Sequence, residues 1–157
     1  MSTDPPGVAL GWLSESLPIG SHVCCYYADE DSLREMLGFL RVGLLEDGVV
    51  NVIFADESRF GHLLQWLGEG YPGDLVADRE QGRLVLIGGQ PTLDGLVRSI
   101  TGHLDAAVAG GCRLIRFLGF IGWGRPGWPD DRELLEFESR PSRRFRPSAP
   151  SLPPSPR

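Results

Sequence analysis

"VVNVIFADESRFGHLLQWLGEG", residues 49–70, decides the fold. From Val49 to Phe54 the chain is almost continuously apolar and rich in β-branched and aromatic residues. A run of that kind fits a strand buried on both faces of a parallel sheet, not one with a wet face. Asp56 and Glu57 follow, and Ser58 stands where a helix N-cap belongs. Phe60, Leu63, Leu64 and Leu67 then recur at helical spacing, with Gly68 and Gly70 beyond them as stop signals. The stretch reads as a strand, an acidic turn and a capped amphipathic helix.

The same unit recurs outward in both directions. "VCCYY" (23–27), "RLVLI" (83–87) and "RLIRFLGFI" (113–121) have the character of buried strands. Leu33, Met36, Leu37, Leu40 and Leu44 mark one face of a first helix, opened by Ser32 and Glu35 at capping-box spacing. Leu93, Leu96, Val97, Ile100 and Leu104 mark another, with Thr92 as N-cap and Gly110 and Gly111 after it, and a short helix is expected from Asp74 to about Gln81. The β-α-β-α-β-α-β alternation predicts a three-layer α/β fold, its mainly parallel sheet flanked by helices through right-handed crossovers.

At 157 residues the chain is long enough for one domain with a real core. Three segments are expected: a lead-in over 1–19, the folded domain over 20–138, and a Pro/Arg-rich tail over 139–157 that has almost nothing to bury and reads as disordered. No run approaches the roughly 18 apolar residues of a membrane span. The start carries Asp4 and two prolines in place of a basic-then-apolar leader, so a cytoplasmic location and no membrane partner are expected. Residues 1–138 hold 21 acids against 10 arginines, a formal charge of −11, while 139–157 hold 5 arginines and no acid. An acidic body of that kind repels nucleic acid, and no direct nucleic-acid partner is expected.

All 15 basic residues are arginine. The absence of lysine excludes Schiff-base chemistry and the phosphate-binding lysine of a P-loop. The position that a phosphate loop would occupy, "YYADEDS" (26–32), also lacks glycine and carries Asp29, Glu30 and Asp31, which repel a triphosphate. His22, Cys24 and Cys25 supply no zinc spacing. On a strand His22 and Cys24 share a face while Cys25 points away, and His62, His103 and Cys112 add no C-x-x-C or H-x-x-x-H pattern. The cysteines therefore read as small core residues, and neither a metal nor a cofactor is expected.

Four features remain as candidates for contact with a ligand. Asp56 and Glu57 end a strand where α/β enzymes place a catalytic carboxylate or a magnesium ligand; the structural alternative is a pair of acids at the positive end of the next helix. Arg116 lies inside an apolar run and needs a partner, for which Asp56, Glu57 or an anionic ligand are candidates. Trp123 and Trp128 stand among glycines and prolines in "GWGRPGWP" (122–129), as a pocket lining or as a cover over the core. His22 is a candidate polar contact.

Residues 47–87 resemble the second-strand region of the RecA/KaiC-like ATPases. Within that superfamily the chain is more similar to the MEDS domain, the sensory domain of methanogens, methylotrophs and the dichloromethane-responsive repressor. The residues that carry this are "HVCCYYADEDSLREMLGFLRVGLLEDG" (22–48) and "RFLGFIGWGRPGWPDDRELLEFE" (116–138), which resemble a His-led first strand, a glycine-and-tryptophan strand end and a following Phe-Glu helix. By position, His22, Gly119, Trp123 and Glu138 match the motif, while Phe120 stands where relatives carry an acid. The resemblance implies a RecA-like fold without its P-loop that senses small hydrocarbon-like molecules. It also implies a further strand beyond Glu138, which the proline-arginine tail replaces, so a truncated C-terminal strand is expected.

The function expected is thus a non-catalytic cytosolic sensory domain, with His22, Trp123, Arg116 and Trp128 around a small, mostly apolar ligand. It would signal to a separate regulatory protein such as a transcription factor or a kinase. The alternatives are a nucleotide-binding ATPase or switch using Asp56 and Glu57 with magnesium, and a protein-interaction module.

Overall fold

The computed structural model describes residues 7–11, 16–21 and 27–139. Two short strands, β1 (Gly7–Ala9) and β2 (Ser16–Pro18), pair antiparallel. Helices α1 (Glu30–Met36) and α2 (Gly38–Leu44) lead into β3 (Val49–Phe54). A 3-10 turn, Glu57–Arg59, opens α3 (Phe60–Gly68), and α4 (Leu75–Glu80) precedes β4 (Leu84–Ile87). The long α5 (Leu93–Ala109), β5 (Leu114–Gly119) and α6 (Asp131–Ser139) complete the described chain.

β3, β4 and β5 form a parallel sheet in the order β4-β3-β5. Because side chains alternate along a strand, β3 serves two cores at once. Ile53 and Ala55 pack with Leu33, Leu37, Leu40, Leu44, Leu63 and Leu67 of α1, α2 and α3 on one face. Val52 and Phe54 pack with Leu93, Leu96, Ile100, Leu134 and Phe137 of α5 and α6 on the other. The protein is therefore a three-layer α/β domain with helices on both sides of a parallel sheet.

Several local expectations change. The expected first strand, 23–27, lies outside the described residues apart from Tyr27, as do His22, Cys24 and Cys25 and all of the tail beyond Ser139. The expected first helix is two helices. At Leu37 the backbone tightens, with the Leu37 N–H on the Arg34 carbonyl at 3.2 Å, so the apolar face from Leu33 to Leu44 runs through a break in the helix. The caps move upstream as well. Asp29, not Ser32, caps α1, accepting from the Ser32 amide and hydroxyl at 2.8 Å each. Asp56, not Ser58, caps the 3-10 turn. In both places a carboxylate is the stronger acceptor, and the serine becomes its donor. Thr92 caps α5 as expected, accepting from the Gly95 amide at 3.0 Å.

Polar ties lock the layers at the end of the sheet where the strands begin. Arg41 of α2 donates to the Trp66 and Leu67 carbonyls at 3.0 and 3.2 Å, covering the negative end of α3. Asp78 is buried on α4, where it accepts the Tyr71 hydroxyl at 2.6 Å and pairs with Arg83 at 3.3 Å. Burial, and next the hydrogen bond to Asp78, push the Tyr71 phenol up to about 12. Arg83 also donates to the Leu44 carbonyl, so α4 and the start of β4 are tied to the end of α2.

Candidate functional site

Three strands end together at the carboxyl edge of the sheet, and the residues just past them carry most of the candidates. β3 runs into Ala55, Asp56 and Glu57; β4 into Gly88 and Gly89; β5 into Phe120, Ile121 and Gly122. In open α/β sheets this edge is the usual place for a ligand. Here the loop that follows β5 is folded back over it and pinned to Asp56.

The pin has three parts. The Trp128 indole N–H donates to Asp56 Oδ1 at 2.9 Å. Arg125 lies 3.3 Å from Asp56 Oδ2, and the Ser58 hydroxyl donates to that same oxygen. Arg125 also donates to Ser58 Oγ at 3.0 Å, closing the group on itself. Trp128 is only 8% exposed and lies tilted against Phe54, with ring centroids 5.2 Å apart. It reaches this depth because Gly89 and Gly122 have no side chains: a Cβ on either would come within 2.4 Å of the indole.

The electrostatics follow from that geometry. The Ser58 hydroxyl first, then the Trp128 N–H, the Ser58 amide and the Arg125 charge hold the Asp56 carboxyl below the usual carboxylate range, against a partial desolvation that acts upward. A carboxylate whose folded pKa is depressed stabilises the fold above its unfolded value of about 3.9, and that contribution is lost as the pH falls through the lower folded value. We therefore expect Asp56→Asn to be less stable than wild type at neutral pH, with the difference shrinking below about pH 4. Thermal melts of both proteins across that range test this; a gap that stays constant with pH would remove the carboxylate charge from the pin.

The candidates separate in space. Trp128 and Asp56 meet, but Trp128 faces inward as a cover on the core, while Trp123 in the same loop is 44% exposed. Glu57 is exposed and lies against Gly88, so that a Cβ there would come within 2.6 Å of its carboxylate. Beside it the Arg59 guanidinium sits 5.1 Å over the Phe120 ring, and Tyr27 meets that ring edge-on at 6.5 Å. Phe120 thus makes an aromatic and cationic contact at the position where an acid was expected.

Arg116 is elsewhere, and its partners are not the ones expected. It pairs in register with Asn51, three residues before the end of β3, so about 10 Å of strand separate it from the sheet's carboxyl edge. It is 2% exposed, donates to the Ala9 and Phe39 carbonyls at 2.6 and 3.1 Å, and lies 3.6 Å from Glu46 and 4.9 Å over the Phe39 ring. Burial pulls its pKa below the usual arginine value, while Glu46 acts in the opposite direction. Its neighbours show a structural cation joining β1, α2 and β5, not a group waiting at the strand ends for an anion.

Among the described residues no three His, Cys, Asp or Glu side chains gather as a metal site. Cys112 is half-buried, and burial pushes its thiol up, away from the thiolate form that metals and oxidants need. A concavity of about 510 Å³ lies not at the strand ends but along α4 and β4. The loop "GWGRPGWP" was visible in the sequence as aromatic; the roles of Arg125, Ser58, Gly89 and Gly122 were not, because each depends on a contact between distant segments.

These features define a class: a three-layer α/β domain whose strand-end acid is occupied in holding down an aromatic loop. No helix is long and apolar enough to cross a membrane among the described residues. Comparison of the chain with protein-family models, with curated proteins and with solved structures finds no match in any of the three.

Proposed function

We propose that the protein is a non-catalytic sensory domain, a MEDS-like relative of the RecA/KaiC fold without a P-loop. It takes a small, mostly apolar molecule at the carboxyl edge of the sheet and passes the signal to a separate regulatory protein in the cytoplasm. The observation that carries this reading is the state of Asp56. A magnesium-nucleotide site needs that carboxylate free, and here its oxygens accept from Trp128 and Ser58 and pair with Arg125. What the edge offers instead is exposed aromatic surface, namely Trp123 on a loop whose position depends on one pin, and Tyr27 from the segment before α1, edge-on to the buried Phe120 ring.

A ligand that settles on this surface changes the free energy of the pinned loop, and a movable loop is what a partner protein can read. Trp123 reports the event directly, because its exposed indole should shift to bluer emission when an apolar molecule covers it. The test is tryptophan fluorescence and thermal shift with a panel of small apolar and halogenated compounds, and separately with Mg-ATP. We expect a member of the apolar panel to raise the melting temperature and blue-shift the emission, and Trp123→Ala to abolish the spectral response. Stabilisation by Mg-ATP that Glu57→Ala removes would establish the nucleotide alternative instead. Silence in both panels would leave the interaction-module reading in place of this one.

A further inference from the structure

At the carboxyl edge of the sheet two arginines stand among two acids, and only one pair closes. Arg125 gives its donors to Asp56 and Ser58. Arg59 and Glu57 do not pair, although they are two residues apart. The 3-10 turn that holds them has three residues per turn, so the two side chains leave it on different sides. Glu57 lies against Gly88, and the Arg59 guanidinium lies 5.1 Å over the Phe120 ring.

Stacking of this kind holds a guanidinium by its face. Its N–H groups lie in the plane of the fork, so the contact with the ring uses none of them. Among the described residues no carboxylate stands within ion-pair distance of the Arg59 guanidinium, and no oxygen accepts a hydrogen bond from it. The residue is half-buried, so its charge is oriented and partly stripped of water while its fork meets no group of the described chain. The surface around it is aromatic. Tyr27, 42% exposed, meets the same Phe120 ring edge-on, and the exposed Trp123 follows three residues beyond Phe120.

We propose that the ligand taken at this edge is a small apolar carboxylate, its acid group held by Arg59 and its apolar body lying on Tyr27 and Trp123. This rests on the sensory reading of the same edge and narrows it from apolar molecules in general to apolar acids. The arginine fork and the two oxygens of a carboxylate match in two parallel hydrogen bonds, which fixes the ligand's orientation. Glu57 limits the ligand to one negative charge, because its exposed carboxylate on the same turn opposes a dianion such as a phosphate monoester.

Benzoate with benzamide, and hexanoate with hexanamide, are pairs of nearly one shape that differ in charge. Each is titrated into the full chain, with tryptophan emission and melting temperature as readouts. The acid of each pair should bind roughly tenfold more tightly than its amide. Arg59→Gln should lower the acid to the affinity of the amide and leave the amide unchanged, and Arg59→Lys, which keeps the charge but not the fork, should fall between them. Amides that bind as well as the acids would overturn the proposal and leave the apolar sensory reading intact. An equal loss of acid and amide in Arg59→Gln would also overturn it, by reducing Arg59 to a support for Phe120. Silence from all four probes would overturn it too, and silence from the neutral panel as well would remove the sensory reading with it.

Discussion

Trp128→Ala should destabilise the protein by about 3–5 kcal/mol, the usual range for deleting a large buried aromatic side chain. The upper part of the range is expected because the site cannot collapse. Its walls at Gly89 and Gly122 are bare backbone, with no side chain to swing into the space, and its floor is Phe54 in the central strand. Removing the indole also deprives Asp56 of its N–H donor and leaves the contacts of Arg125 to Asp56 and Ser58 as the rest of the pin. Urea denaturation is the measurement, and the midpoint should fall with little change in slope, since the loss lies in the native packing. Trp128→Phe should recover much of the packing and none of the hydrogen bond. A loss below about 1 kcal/mol for the alanine variant would mean that the loop is held by something other than this side chain.

The same variant bears on function. If the loop transmits ligand binding, a protein without the buried part of its pin should lose most of the difference between bound and free states even where ligand still touches Trp123. The fluorescence response would then persist while the thermal shift disappears. Loss of both together would make Trp128 part of the binding surface, and its burial against Phe54 argues against that.

What the sequence reveals depends on how far apart the interacting residues lie. β3, β4 and β5 were legible because a strand covered on both faces is a continuous apolar run, and α3 and α5 because one buried face imposes a period of 3.6. β1 and β2 were not, since three residues such as "GVA" and "SLP" carry no period. The cap shifts at Asp29 and Asp56 were within reach, because an acid followed by serine within three residues offers both an acceptor and a donor. The partners of Arg116 and Asp56 were out of reach. Glu46 and Ala9 come to Arg116, and Arg125 and Trp128 to Asp56, only through the order of strands and the path of a glycine-rich loop. The sequence shows that a buried cation needs a partner and that a strand-end acid could serve chemistry; folding decides that both are spent on structure.

Gly43→Ala should cost about 2 kcal/mol or more, against the gain of about 1 kcal/mol that helix propensity alone would give an alanine there. Gly43 lies in α2, where the helix presses on the sheet, and a Cβ would come within 2.0 Å of Asn51 Oδ1 and 2.6 Å of Arg116 Cδ. Neither neighbour can yield. Arg116 is held by two carbonyls and Glu46, and Asn51 is fully buried in β3 with its amide on the Arg83 carbonyl at 3.3 Å. Asn51→Ala should be mild on its own, because Oδ1 has no hydrogen-bond partner among the described residues and its removal ends an unmet desolvation. Combining the two should therefore recover about 1 kcal/mol relative to their sum, with the Arg116 contact accounting for what is not recovered. Equilibrium unfolding of the two single variants and the double variant measures that coupling. Simple additivity would mean that α2 moves away from β3 to admit the methyl group, and the glycine would then be setting the distance between helix and sheet, not clearing space for one asparagine.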